Sequence, residues 1–123
     1  MNMVNETFIN RHQIAGEAIC SALQAEALKL GFNELDLPQI SWSELVFSIK
    51  PDTVDGVDCL TGDWKDPSGY RVGQIQFNGD GSFFAEHDIV LAHPGDKRWF
   101  VEAVEAWGRL NQINSEPRLL AAV

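Results

Sequence analysis

Residues 94–108 read PGDKRWFVEAVEAWG, and the secondary structure assigned to them decides the fold. Phe100, Ala103, Val104 and Trp107 recur at helical spacing, which argues for an amphipathic helix with one buried stripe. Pro94 suits a first helical turn, Asp96 favours the positive end of a helix dipole, and Gly108 is a stop. The spacing therefore predicts a C-terminal helix over 94–108. Beyond it, Asn111 to Arg118 is polar and Leu119 to Val123 is a short apolar tail.

Working backwards, Ser82 to Ala92 alternates as a long strand. Phe83, Ala85, His87, Ile89 and Leu91 share one face, while Phe84, Glu86, Asp88, Val90 and Ala92 share the other. Asn78-Gly79-Asp80-Gly81 before it is the strongest turn signal in the chain. Tyr70 to Phe77 is a further strand. Its apolar phase switches between Val72 and Ile75, as a bulge at Gly73-Gln74 would cause. Lys65 to Gly69 is a tight turn, and Val57 to Trp64 and Ser43 to Lys50 are strands, the latter with Leu45, Phe47 and Ile49 on one side.

At the start, Asn10 and Gln13 have capping-box spacing. Ile14, Ala15, Ala18, Ile19, Ala22, Leu23, Ala27 and Leu30 form an apolar stripe that ends at Gly31. The expected fold is thus α+β: an N-terminal helix over 10–30, a four-stranded antiparallel meander, and a C-terminal helix packed on one sheet face. It forms one domain, 1–123, with residues 1–9 and 111–123 peripheral.

The chain has 123 residues, 45% of them hydrophobic, which suits a single globular core. Eighteen acidic residues against nine Lys and Arg give a formal charge of −9. Such a surface repels nucleic-acid phosphates and anionic lipid, so neither is an expected partner. It suits a basic or apolar one. With two cysteines, Cys20 and Cys59, no apparent signal peptide and no long apolar span, the expectation is a cytoplasmic protein with both thiols reduced.

Candidate chemistry is sparse. Glu86, His87 and His93 lie close in sequence with Asp88 and could exchange protons or hold a metal. Strand alternation, however, turns His87 away from both carboxylates. The acidic residues Asp52, Asp55, Asp58, Asp63 and Asp66 match no calcium loop, because Pro51 falls on the first ligand position. No nucleophile elbow or phosphate-binding glycine loop is present. A Cys59–His87 pair across strands is conceivable, although a buried Cys59 is the plainer role. Arg71 and Arg98 could clamp an acidic small molecule. Phe84 and Val90 on the outer face of the fourth strand, with Val46 as a neighbour, could form a contact surface.

The run Gly79-Asp80-Gly81-Ser82-Phe83-Phe84-Ala85-Glu86, with His93-Pro94 and Arg98 to Val104, resembles small bacterial proteins of unknown function. That resemblance implies no activity. The small acidic helix-and-sheet plan is also similar to type III secretion chaperones and toxin-immunity proteins, an analogy of fold only. The chaperones differ by interrupting their sheet with a central helix. The resulting expectation is a non-enzymatic protein-binding or accessory domain, homodimeric or attached to a protein partner, with no cofactor and no metal. The alternative is a small-ligand or metal-dependent enzyme using Glu86, His87 and His93.

Overall fold

A computed structural model describes residues 6–51, 58–109 and 111–122. Two helices, α1 (Glu6–Arg11) and α2 (Gln13–Lys29), precede six strands. These are β1 (Val46–Pro51), β2 (Asp58–Lys65), β3 (Arg71–Phe77), β4 (Ser82–Ala92), β5 (Trp99–Arg109) and β6 (Gln112–Ala121). The strands form one antiparallel meander in the order β1-β2-β3-β4-β5-β6.

The expected four strands and C-terminal helix are therefore corrected: the segment 94–108 is a turn followed by β5, and the segment after it is β6. The physical reason lies at Glu102. Val101 pairs with Leu119 and Ala103 with Arg118, so Glu102 is an extra residue against β6. That bulge shifts the alternation by one. Buried positions then fall at Val101, Ala103, Val104 and Ala106. Phe100 and Trp107 of the open face then stand three residues from Ala103 and Val104, and that spacing imitates a helical period. β6 hides differently. Ile113, Ser115, Pro117 and Leu119 face inward between exposed or half-exposed polar residues. Pro117 is compatible with a strand only because β6 is an edge.

The N-terminal helix is also divided. Its break falls at His12, which is the N-cap of α2 and makes no side-chain cap bond. Its ring nitrogen Nδ1 instead lies 2.8 Å from the Phe8 carbonyl. The buried stripe is Gly16, Ile19, Cys20, Leu23, Glu26 and Ala27, rotated from the expected one, and Ile14 is 86% exposed. Gly16 decides this rotation. A Cβ there would sit 2.0 Å from the Trp42 ring, so only glycine lets Trp42 lie against the helix.

One sheet face is covered and the other open. The covered face carries Leu60, Trp64, Ile75, Phe77, Phe83, Ala85, Val101, Val104 and Ala106, packed with Ile19, Leu23 and Ala27 of α2. Ile19 and Leu23 are 0% exposed, and each contributes about 1.5–3 kcal/mol by burial. A 17-residue helix is marginal alone in water, so this packing holds it. The bulge expected at Gly73-Gln74 lies at Val72: Trp64 pairs with Gly73 and Lys65 with Arg71. Both expected turns form. Asp66 N–H bonds the Tyr70 carbonyl at 2.9 Å, and Asn78 N–H bonds the Ser82 carbonyl at 2.9 Å.

Candidate functional site

The register places complete rows of side chains on the open face. One row runs Val46, Asp63, Gln74, Glu86, Glu105, Glu116 from β1 to β6. Asp88 and Glu102 lie beside it. The next row runs Ser48, Thr61, Gln76, Phe84, Trp107, Asn114. On the far side of the acidic row lie Ala92, Phe100 and Leu120, again cross-strand neighbours. Across β4 to β6 the face thus carries an acidic band, Glu86, Glu105 and Glu116, with the Phe84–Trp107 pair on one side and Ala92, Phe100 and Leu120 on the other. Phe84 is 37% exposed, Val46 56% and Leu120 47%.

One cation sits inside the band. Arg118 Nη1 lies 2.5 Å from Glu105 Oε1 and 3.5 Å from Glu86 Oε2, and its Nε lies 3.0 Å from Glu102 Oε2. Partial burial acts against the guanidinium charge, but the three carboxylates outweigh it and raise its pKa. The band still carries more carboxylates than Arg118 can neutralise. Asp63 Oδ1 is buried with no hydrogen-bond donor among the described residues.

The residues singled out from sequence do not converge. Glu86 belongs to the open face. His87 is on the covered face, opposite Val104 and 3% exposed. His93 lies in the β4–β5 turn, where Nδ1 accepts the amide N–H groups of Gly95 and Asp96, both at 3.0 Å. The Arg98 guanidinium is engaged by Asp96 through Nε–Oδ1 at 3.0 Å and Nη2–Oδ2 at 2.7 Å. Those bonds hold the Asp96 pKa at about 2. Arg71 donates to Gln74 Oε1 at 3.3 Å, so each arginine has a partner on its own segment. Phe84 and Val46 share the open face, while Val90 stands apart at the end of β4 in a bulge.

Of the acidic stretch, Asp52 and Asp55 lie outside the described residues. Asp66 Oδ1 accepts the Ser68 and Tyr70 amides of its own turn. No group of His, Cys, Asp and Glu able to hold a metal occurs among the described residues. Cys20 packs in the core, and Cys59 occupies the open-face parity of β2, so the sheet separates them and they form no disulfide. Burial pushes the Cys20 thiol up to about 12, with the Glu17 carboxylate adding to the effect. The same sheet separates Cys59 from His87.

A second feature escaped the sequence. A cleft of about 590 Å³ opens on the covered side, where the connector 36–39 and Glu44 stand off the ends of β2, β3 and β4. Trp64 and His87 line it, with ring centroids 5.3 Å apart. The Trp64 indole N–H is tied to the Ser41 carbonyl at 2.9 Å. His87 Nδ1 lies 2.8 Å from the Asp88 carbonyl oxygen. A carbonyl can only accept, so Nδ1 carries the proton and Nε2 presents a lone pair. Burial lowers the His87 pKa against the opposing pull of Asp88, so the ring is neutral near pH 7. At the rim, Val90 has φ +56°, a costly conformation for a β-branched residue. It sits in the bulge where two residues, Ile89 and Val90, oppose Glu102.

Among the described residues no helix is long and apolar enough to cross a membrane. Comparison with protein-family models, curated proteins and solved structures gives no match.

Proposed function

We propose that the chain is a non-enzymatic, cytoplasmic protein-binding domain whose contact surface is the open face of the sheet, and that its partner presents a basic surface. The observation that carries this reading is the row Asp63, Glu86, Glu105, Glu116 flanked by Phe84 and Trp107 on one side and Phe100 and Leu120 on the other. Apolar anchors beside a complementary charge band combine affinity with selection of the partner. Self-pairing across a two-fold axis through this face sets the acidic band against its own copy, where like charges oppose association. A basic partner meets the same surface without that cost. Pro117 in the β6 edge opposes edge-to-edge pairing as well.

The enzymatic alternative draws less support, because Glu86, His87 and His93 face three different surroundings. Calorimetric titration with a peptide of alternating arginine and aromatic residues tests the proposal. Expected is binding that weakens with salt, weakens with Phe84→Ser, and weakens further with Glu86→Gln and Glu105→Gln together. Equal binding of a glutamate-substituted control peptide refutes the charge argument. A parent protein that sediments as a dimer, and dissociates with Phe84→Ser, refutes the choice of a basic partner over self-association.

A further inference from the structure

We propose that the cleft between the 36–39 connector and the ends of β2–β4 is a second binding site, and that its ligand is an organic cation: an ammonium or guanidinium group on an apolar stem. Its volume of about 590 Å³ falls within the range of small-ligand sites. Three observations specify the chemistry.

The first is His87. It is 3% exposed, lines the cleft, and spends its only proton on the Asp88 carbonyl. Nε2 makes no hydrogen bond among the described residues. That lone pair is a free acceptor on the cleft wall, and a ligand N–H donor can use it. The second is charge. Asp36, Glu44 and Asp66 stand in the wall against a single cation, Lys65. An anion is disfavoured and a cation attracted. The third is the remaining lining: Leu37, Pro38, Val72, Ile89 and Leu91 supply an apolar surface suited to a hydrocarbon stem. The strained bulge at Val90 brings Ile89 and Leu91 to the same wall, as bulges beside binding sites do.

The site is on the opposite side of the sheet from the acidic open face, so it stands or falls separately from the proposed function. The cation could be a free amine or the side chain of a partner's lysine or arginine. Nuclear magnetic resonance distinguishes these sources. The intact chain, labelled with nitrogen-15, is titrated with n-butylguanidinium, with n-butyrate, and with a capped Ala-Arg-Ala peptide. Expected is a saturable shift of His87 Nε2 and the Trp64 indole with a guanidinium probe and none with butyrate. Tighter binding of the free cation marks a small molecule, and tighter binding of the peptide marks a protein side chain; both uphold the ligand class.

His87→Phe, which removes the acceptor and keeps the ring, should weaken binding about tenfold. Asp36→Asn and Glu44→Gln, at exposed rim positions, should each weaken it roughly two- to fivefold, which keeps the test sound if His87→Phe folds poorly. No saturable shift with either guanidinium probe overturns the proposal. So does equal binding of butyrate, or undiminished binding in both rim variants.

Discussion

Replacing Arg118 by methionine isolates the electrostatics of the open face. Methionine keeps much of the apolar stem and deletes the cation among Glu86, Glu102 and Glu105. At about 4 Å and an effective dielectric constant near 20, one unit-charge pair is worth roughly 4 kcal/mol. That is an upper bound, because Arg118 and Glu102 side chains are 40% and 41% exposed and solvent screens them. Glu105 is only 16% exposed and holds the 2.5 Å contact, so it takes the largest share, about 1 kcal/mol. The Glu86 and Glu102 contacts add less each, and the sum is about 2 kcal/mol. Glu86 and Glu105 then face each other directly across β4 and β5, where like charges are destabilising. For a chain this long the loss lowers Tm by roughly 8 °C. Thermal melts at low salt measure it, and repeating them in about 1 M salt, where the Debye length is about 3 Å, should close most of the gap. Adding Glu105→Gln to Arg118→Met should restore part of the stability. A variant within about 1 °C of the parent at low salt, or a gap that salt leaves untouched, refutes the reasoning.

Three further outcomes follow from single residues. Val90 pays for a left-handed conformation and is 58% exposed, so Val90→Gly should raise unfolding free energy by about 1 kcal/mol in urea titrations; a loss instead contradicts the bulge geometry. Gly16→Ala drives a methyl into the Trp42 ring and should cost about 1–3 kcal/mol, with altered tryptophan fluorescence. His87 has a folded pKa below its ordinary 6.5 because it is buried, with Asp88 opposing. Between those two values the unfolded chain binds more protons, so stability falls as pH drops below 6.5. His87→Gln should flatten that slope between pH 7 and the folded value, as pH-dependent denaturation would show.

What could be read from the sequence followed local chemistry. Strand β4 runs Ser82–Ala92, the bounds that its alternation indicates, because the Asn78–Gly81 turn precedes it and Pro94 follows it. The Asn78–Gly81 turn needs a residue tolerant of positive φ, and Gly81 has φ +89°. β5 was illegible because the bulge at Glu102 gives it a helical period. β6 was illegible because edge strands tolerate the proline and polar residues that read as loop. The rotation of α2 depends on Trp42 meeting Gly16, a contact between residues far apart in sequence.

The open face was half legible. Phe84 and Glu86 showed as outward residues of β4, but their neighbours Trp107, Glu105 and Glu116 belong to strands that the periodicity concealed. The cleft was wholly hidden. It is formed by a connector, a bulge and three strand ends, and local pattern gives no sign that Leu37 and His87 line one space.

On the proposed reading, the open sheet face binds a basic partner. Amide shift mapping during titration with the arginine–aromatic peptide tests it most directly. Perturbations should cluster at Gln74, Phe84, Glu86, Glu105, Trp107 and Glu116, with Ile19 and Leu23 of α2 unmoved. Perturbations centred on α2, or an identical pattern with the acidic control peptide, would contradict it.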